Sequence, residues 1–284
     1  MPMQEGFQRR SLPEDNGFHA NPAAPFVELG LASCFSFLHA ASDAVDLTAT
    51  ASALGYDAVG IADVNTLAGV VRMHTEAQTA RIRPLIGARL VLACGTDLLA
   101  YPRDRDAYAR LSTLLSRGKM ADADGAWQAK GATHLTLDML AGHASGLHLI
   151  AMPGDDLDAF AGGLPRLVRA LPGMAHVGAA YLYRGDDVAR IARLDALALA
   201  HGLSILATND VLYHAPDRRP LQDVMTCIRT GTTIRDAGFA LSANAERHLK
   251  SPAEMCRLFA DWPHAIAATR AVADDIVFAL TDLA

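Results

Sequence analysis

The stretch Ile205-Leu-Ala-Thr-Asn-Asp-Val-Leu-Tyr-His214 decides how the rest of this sequence is interpreted. It begins as an apolar β-type run and becomes polar at Asn209 and Asp210. In a sheet or barrel whose strands all point one way, such a strand delivers side chains to the rim where sites are built. The pattern favours a site containing Asn209, Asp210 and His214, although a strand that ends in an ordinary Asn-Asp turn has the same pattern.

Length and composition limit the classes of protein that this chain can belong to. Its 284 residues are 51% hydrophobic, which suffices for the core of one large α/β domain. A net charge of -6 argues against a surface that holds a long stretch of nucleic-acid backbone. The four cysteines form no C-x-x-C pair, and no apolar run approaches the roughly 18 residues of a membrane helix. We therefore expect a cytoplasmic protein with reduced thiols and no membrane partner.

From residue 26 onward, short β-type runs alternate with amphipathic helical runs. Strands are predicted at Phe26–Ala32, Ala58–Ala62, Pro84–Ala93, Asp97–Tyr101 (a possible hairpin partner of the preceding strand), Leu147–Met152, Ala175–Leu182 and Ser204–Thr208. Helices are predicted at Ala44–Leu54 after a Ser42-Asp43 cap, Leu67–Ala80, Arg105–Arg117, Leu137–His143, Leu157–Leu171 and Asp187–His201. This alternation indicates parallel strands joined by crossover helices, in a barrel or in an open sheet.

Three parts of the chain differ from this alternating α/β pattern. Residues 1–25 are rich in Pro, Asn, Gly and charge, and they predict a mobile leader. The Gly- and Ala-rich segment 118–133 predicts a surface loop. Beyond Asp210 the pattern is helical only, with helices predicted at Arg219–Thr230, Pro252–Phe259 and Pro263–Phe278. We therefore expect an α/β region over 26–215 and a helical appendage over 216–284.

Two further polar residues follow predicted strands. His39 lies between the first strand and the first helix, where it is either a ligand or base or an isolated surface histidine. Asp63 lies just beyond the second strand, where the alternative to a site role is the N-cap of a helix that begins near Thr66. The chain has no phosphate-binding glycine motif, no G-x-S-x-G elbow and no H-E-x-x-H spacing.

Several longer runs carry a specific pattern when they are taken together. They are Glu28-Leu with Phe35-Ser-Phe-Leu, Asp63 with Asn-Thr-Leu-Ala-Gly-Val-Val-Arg72, Ala207-Thr-Asn-Asp-Val with Tyr-His214, Arg218-Arg-Pro-Leu-Gln-Asp-Val224, and Asn244-Ala-Glu-Arg-His-Leu-Lys-Ser before Pro252. From about Phe26 to the C-terminus, the chain resembles the N-terminal region of the bacterial error-prone DNA polymerases, C-family relatives of the DNA polymerase III alpha subunit. The resemblance implies a polymerase and histidinol phosphatase (PHP) domain, which is a distorted (β/α)7 barrel of the α/β class.

The resemblance also implies where a metal site would lie. Metal-holding PHP domains use converging His and carboxylate ligands on two or three ions to hydrolyse phosphoesters. In this chain the implied ligand positions hold Gly30, Ala32, His39, Val64, Arg89 and Leu212. Asp63, Asp210 and His39 remain as candidate metal ligands, and Arg89 adds a positive charge where cations would sit. We therefore expect a vestigial site, comprising His39, Asp63, Arg89, Asp210 and His214, that holds no metal.

The resemblance implies a scaffold role rather than catalysis by this chain. The polymerase palm of the family, with its Mg²⁺, lies downstream of the region matched here, so the chain is expected to be a fragment or a free-standing remnant. Its expected partner is the downstream polymerase core, with DNA contacted only through the full polymerase during repair and damage-tolerant synthesis. Apolar surface for that core is expected at 221–228 and 259–276. The alternatives are a free-standing metal-dependent phosphoesterase and a decayed product without a partner.

Overall fold

The computed structural model describes residues 23–120, 128–129 and 131–283. The predicted leader lies outside the described residues except for 23–25, and so does most of the middle of the predicted loop at 118–133. At the edge of the leader, Ala24 is buried and its N–H donates to Asp57 Oδ1 at 3.0 Å. Within the described ranges, no helix combines the length and the apolar character that crossing a membrane requires.

One curled six-stranded sheet forms the centre of the fold, and its strands are ordered as they occur in the chain. The strands are β1 Ala58–Val64, β2 Arg83–Val91, β3 Asp97–Pro102, β4 Leu147–Met152, β5 His176–Ala180 and β6 Ser204–Thr208. Neighbouring strands are parallel except for β3, which is antiparallel to β2 and to β4. The predicted hairpin is therefore confirmed, while the expectation of parallel strands is wrong for β3. The connection from β2 is too short for a crossover and can only return antiparallel.

Nine α-helices occur in the described part of the chain. They are α1 Ala44–Ala53, α2 Val70–Thr79, α3 Arg105–Met120, α4 Leu137–Ala141, α5 Leu157–Ala170, α6 Asp187–Ala200, α7 Arg219–Thr230, α8 Pro252–Leu258 and α9 Pro263–Asp275. Asp43 caps α1 as predicted, because its side chain accepts a hydrogen bond from the Asp46 N–H at 3.0 Å. Each predicted helix is present, and the ends differ by at most a few residues.

The segment Phe26–Ala32, predicted as the first strand, is extended but is not a regular strand. It lies between β1 and the chain that follows β6, in the position of a seventh strand. Three of its residues oppose two residues of β1, as in a β-bulge, and this interrupts regular pairing. The backbone bonds that define its position are Gly60 N to Glu28 O at 2.7 Å, Ala62 N to Leu31 O at 2.8 Å and Ala32 N to Val211 O at 3.0 Å. The expected count of seven strands is therefore not confirmed.

Helix α9 belongs to the core. Its residues Ala268, Val272 and Ala273, with Ile276 just after its end, form one apolar cluster with sheet residues such as Leu85, Leu99, Ile150 and Leu206. The other face of the sheet packs against the outer helices. Successive side chains of a strand point to opposite faces, so Val59 and Ile61 face the outer helices while Ala58 and Ala62 face α9. The expectation of exposed apolar surface at 259–276 is wrong, because Phe259, Ile266, Val272 and Ile276 are all buried. A separate helical appendage is not confirmed either.

Candidate functional site

Five of the six implied ligand positions, all except Gly30, line one cleft of about 260 Å³. One wall is formed by residues at or after the strand ends, namely Ala32, His39, Val64, Arg89 and Leu212. The opposite wall comes from α7 and the chain that follows it, with Gln222, Thr226, Arg229, Ala240, Ser242 and Arg247. The cleft therefore brings residues at or near the ends of strands together with residues of α7 and of the 240–247 segment.

A network of four charged side chains fills the centre of this site. Arg89 Nη1 donates to Asp210 Oδ1 at 2.5 Å, and the same guanidinium donates to Asp97 through Nη2 at 2.7 Å and Nε at 2.9 Å. Arg247 donates to Asp210 Oδ2 through Nη2 and to the Asp210 carbonyl through Nε. Each oxygen of the Asp210 carboxylate is therefore bound by a different arginine.

The electrostatics of Asp210 follow from this pairing. Burial alone would raise the pKa of its carboxyl, but Arg247 and Arg89 outweigh that effect and lower it to about 2. Burial likewise opposes the charge on Arg89, while Asp210 and Asp97 raise its pKa above the ordinary value. Asp210 is thus ionised at neutral pH, and its charge is balanced by Arg89 and Arg247.

Asp63 is buried and holds the turn that follows the 26–32 segment. Its carboxylate accepts hydrogen bonds from Ser33 N at 2.7 Å, Ser33 Oγ at 2.8 Å and Ser36 Oγ at 2.6 Å. Burial raises its pKa, although these hydrogen bonds oppose the shift. It does not cap a helix from Thr66, because α2 begins at Val70 and has Gly69 at its N-cap.

The two histidines expected at the site lie in different places. His39 lines the cleft, where burial lowers its pKa and the nearby Arg229 and Arg89 lower it further. His214 lies elsewhere, against α1: its Nδ1 is 2.8 Å from Ser42 Oγ, and its backbone N–H also donates to that oxygen at 3.0 Å. The structure therefore does not bring His214 together with Asp210.

Sequence reasoning assigned no role to a further buried carboxylate, that of Glu28. It accepts hydrogen bonds from Gly30 N at 2.6 Å, Asn209 N at 2.7 Å and Thr208 Oγ1. Burial raises the pKa of Glu28 to about 7 in spite of these bonds. A lone glutamate inside the apolar 26–32 run was the available signal. Glu28 therefore links this segment to the end of β6 through hydrogen bonds to Thr208 and Asn209.

Asn209 also has a structural role. Its side-chain Nδ2 donates to the carbonyl oxygens of Glu246, at 2.7 Å, and His248, while its Oδ1 accepts from Lys250 Nζ at 3.1 Å. The side chain therefore fastens the 246–250 segment, which carries Arg247, to the end of β6. Asn209 positions the second arginine of the site and does not itself face the cleft.

The donor set at the cleft does not fit a metal cluster. Asp210 is occupied by two guanidiniums, and Asp63 by three hydrogen-bond donors. At Gly30, a Cβ atom would lie 2.3 Å from Thr208 Oγ1, so the site as folded leaves no room for a ligand side chain there. Among the described residues, no group of three or more His, Cys, Asp or Glu side chains is arranged to hold a metal ion.

Comparison with known proteins gives the family. Error-prone DNA polymerase of Caulobacter vibrioides is 46% identical over 260 residues, covering 91% of this chain and 24% of that protein. The corresponding enzyme of Rhodopseudomonas palustris is 48% identical over 265 residues, covering 91% of this chain and 23% of that protein. This chain therefore spans about a quarter of the length of these relatives.

A solved amidohydrolase from Chromobacterium violaceum, with bound sulfate and no metal, is similar with a TM-score of 0.48 and 14% identity, over 64% of this chain and 86% of that one. The PHP domain family matches residues 28–177, which is more than half of the chain. The chain therefore belongs to the PHP domain family.

Proposed function

We propose that this chain is the N-terminal PHP region of an error-prone DNA polymerase and that it acts as a scaffold for the polymerase core. The observation that carries the loss of hydrolytic function is the charge network around Asp210. Arg89 and Arg247 supply the positive charge that metal ions supply in a hydrolytic site. The chemistry of the proposed assembly, nucleotidyl transfer in DNA repair and damage-tolerant synthesis, then belongs to the downstream core with its Mg²⁺.

Helix α7 supports the scaffold role. Leu221, Val224 and Ile228 are spaced as one apolar helix face, and all three are exposed, Ile228 to 62%. The buried side of α7 is instead formed by Gln222, Thr226 and Cys227. The inward face of α7 is therefore mainly polar, which suits a helix that lines a charged cleft. Its outward face is apolar and is available to bind a partner. The relatives extend well beyond the matched quarter, which supports the polymerase core as that partner.

Compartment and thiol chemistry agree with this proposal. The four cysteines are unpaired in the described structure. Free thiols are typical of the reducing cytoplasm, which is where we place this protein.

The apolar face of α7 is tested as a docking surface by mixing the chain with a separately produced polymerase core. We expect the chain to bind the polymerase region that follows the matched segment in the Caulobacter relative. Ile228→Asp should weaken this binding at least about tenfold, because it places a charge in an apolar interface. Leu199→Asp on α6 is the matched control, since Leu199 is 76% exposed and lies on another helix. Equal binding by both variants, measured by biolayer interferometry, would contradict the docking role of α7.

The degenerate site is tested by metal analysis. After incubation with Zn²⁺ and Mn²⁺ and removal of excess metal, we expect far less than one ion per chain by mass spectrometry. Treatment with a chelator should leave the Tm unchanged, because metal that binds only the folded state would raise it. Near-stoichiometric metal together with a chelator-sensitive Tm would restore the phosphoesterase alternative.

A further inference from the structure

A separate groove lies at the other end of the sheet from the cleft at the strand ends. Its volume is about 560 Å³, and it is lined by Asp106, Ala109, Arg110, Thr113 and Arg117 of α3 and by Gly142 and His143 after α4. Strands β2 and β4 run in the same direction, because both are antiparallel to β3. The cleft residue Arg89 lies near the end of β2, whereas Gly142 and His143 precede the start of β4. The groove therefore shares no lining residue with the cleft.

The α3 wall of this groove carries two arginines on one face. Positions 106, 110, 113 and 117 follow one another at intervals of three or four residues, which places them in one row along the helix. Arg110 and Arg117 are two helical turns apart, or about 10 Å along the axis. In the described part of the chain, no carboxylate forms an ion pair with either guanidinium. Both charges are therefore available to an anionic partner.

The guanidinium of Arg110 is positioned by the loop before β4. Its Nε donates to the Ser145 carbonyl at 2.8 Å. Its Nη2 packs against Gly146, where an added Cβ atom would lie only 3.1 Å from that nitrogen. Gly146 also has a φ of 75°, which glycine adopts without strain. Ser145 and Gly146 thus hold the guanidinium in place before a ligand arrives, and this lowers the entropic cost of binding.

The groove also has a defined charge pattern and room between its walls. Asp106 precedes Arg110 by one helical turn and is the only acidic residue among the described residues that line the groove. Along α3 the order is therefore one negative charge followed by two positive charges. Ala109 and Gly142 are small, so the backbone of a partner can approach closely between the two walls.

From these observations we infer that the groove binds an acidic segment of a protein partner, with two carboxylates about 10 Å apart against Arg110 and Arg117. A carboxylate matches the planar guanidinium and can accept two hydrogen bonds from it. Nucleic acid fits the charge pattern less well, because each phosphate is negative and one of them would face Asp106. A protein segment can instead carry a neutral or basic residue at the Asp106 end. The site is separate from the apolar face of α7, so it goes beyond the proposed docking of a polymerase core.

The test uses the 284-residue chain and a fluorescein-labelled, alanine-based helical peptide with two glutamates seven positions apart. The helix sets the distance between those carboxylates to about 10 Å. Binding is followed by fluorescence anisotropy at low salt, where exposed ion pairs are least screened. Arg110→Gln and Arg117→Gln should each weaken binding about fivefold, as expected for the loss of one exposed ion pair. Arg169→Gln should have no effect and is the matched control, because Arg169 is an exposed residue of α5 that does not line the groove.

Asp106→Asn supplies an effect of the opposite sign. It removes a like charge that repels the acidic peptide, so binding should tighten about twofold. A variant that merely disturbed the fold of α3 would weaken binding, as the arginine variants do. Weaker binding by Asp106→Asn would therefore contradict the charge pattern on which the inference rests.

Three further outcomes would overturn the inference. The first is absence of binding, or equal binding by Arg110→Gln and Arg169→Gln. The second is equal binding of a peptide whose two glutamates are adjacent, or equal displacement by free glutamate, which would mean a simple anion site. The third is tighter binding of oligo(dT) that both arginine variants weaken, which would make the groove a nucleic-acid surface. None of these outcomes depends on the docking of α7 to a polymerase core.

Discussion

Asp210→Asn is expected to lower the free energy of unfolding by about 3 kcal/mol at pH 7, because removing one partner of a buried ion pair leaves the other charge uncompensated. Arg89 is the charge in question, with a side chain that is only 14% exposed. Asp97 would remain its single carboxylate partner. An asparagine would also turn its amide N–H₂ toward one of the two guanidiniums, which can only donate.

The pH dependence of this effect follows from the depressed pKa of Asp210. In the unfolded chain the carboxyl titrates near its ordinary value of 3.8, whereas in the folded protein it titrates at about 2. The folded state therefore holds the ionised form more strongly, and the stabilisation is present above pH 3.8 and is lost as the pH falls toward 2. The stability difference between the unmodified chain and Asp210→Asn should shrink across that window.

Urea unfolding followed by circular dichroism at several pH values measures both effects. Asp158→Asn is the matched control, because Asp158 pairs with Arg193 at the surface, where an ion pair contributes less than about 1 kcal/mol. If Asp210→Asn were no less stable than Asp158→Asn at pH 7, burial of the Arg89 and Arg247 charges would not require their ion pairs with Asp210. The charge network could then not be the basis of the proposed loss of metal binding.

Local signals explain which parts of the fold were predictable from sequence. The Asp43 cap and the alternation of β-type and helical runs depend on residues close in the chain, and both appear in the structure. The segment 26–32 is predicted as a regular strand from its apolar pattern, but in the structure it is extended without being a regular strand. Its Glu28 side chain binds the end of β6, about 180 residues away, and sequence spacing does not reveal that contact.

The site shows the same division between local and distant information. The family resemblance implies that Ala32, Val64 and Arg89 lie together, and all three line one cleft. The pairing of Arg247 with Asp210 was not predictable, since 37 residues separate them and no sequence spacing links them. His214 follows Asp210 by only four residues, yet it lies against Ser42 and α1. Asp210 has a φ of 47°, so the chain turns there and a straight continuation of β6 does not hold.

Val272→Asp is expected to prevent folding of the chain, because it would place an unpaired carboxylate in an apolar cluster. Val272 is only 2% exposed and packs in the cluster shared by α9 and the sheet. Burying a charge without a partner costs several kcal/mol, which is a large part of the total stability of a typical domain. A protonated aspartic acid would lower that penalty but would still leave polar atoms without hydrogen-bond partners.

The control is Val277→Asp, five residues further along, where the side chain is 74% exposed. It makes the same chemical change just beyond the end of α9 and should leave the Tm within a few degrees of the unmodified chain, as surface substitutions usually do. Far-UV circular dichroism and thermal unfolding of both variants show whether α9 is a detachable appendage or part of the core. If α9 were a detachable appendage, Val272→Asp would fold with an unchanged sheet and a cooperative transition. If α9 is part of the core, only Val277→Asp retains that transition, and no division of the chain near residue 215 yields a stable barrel.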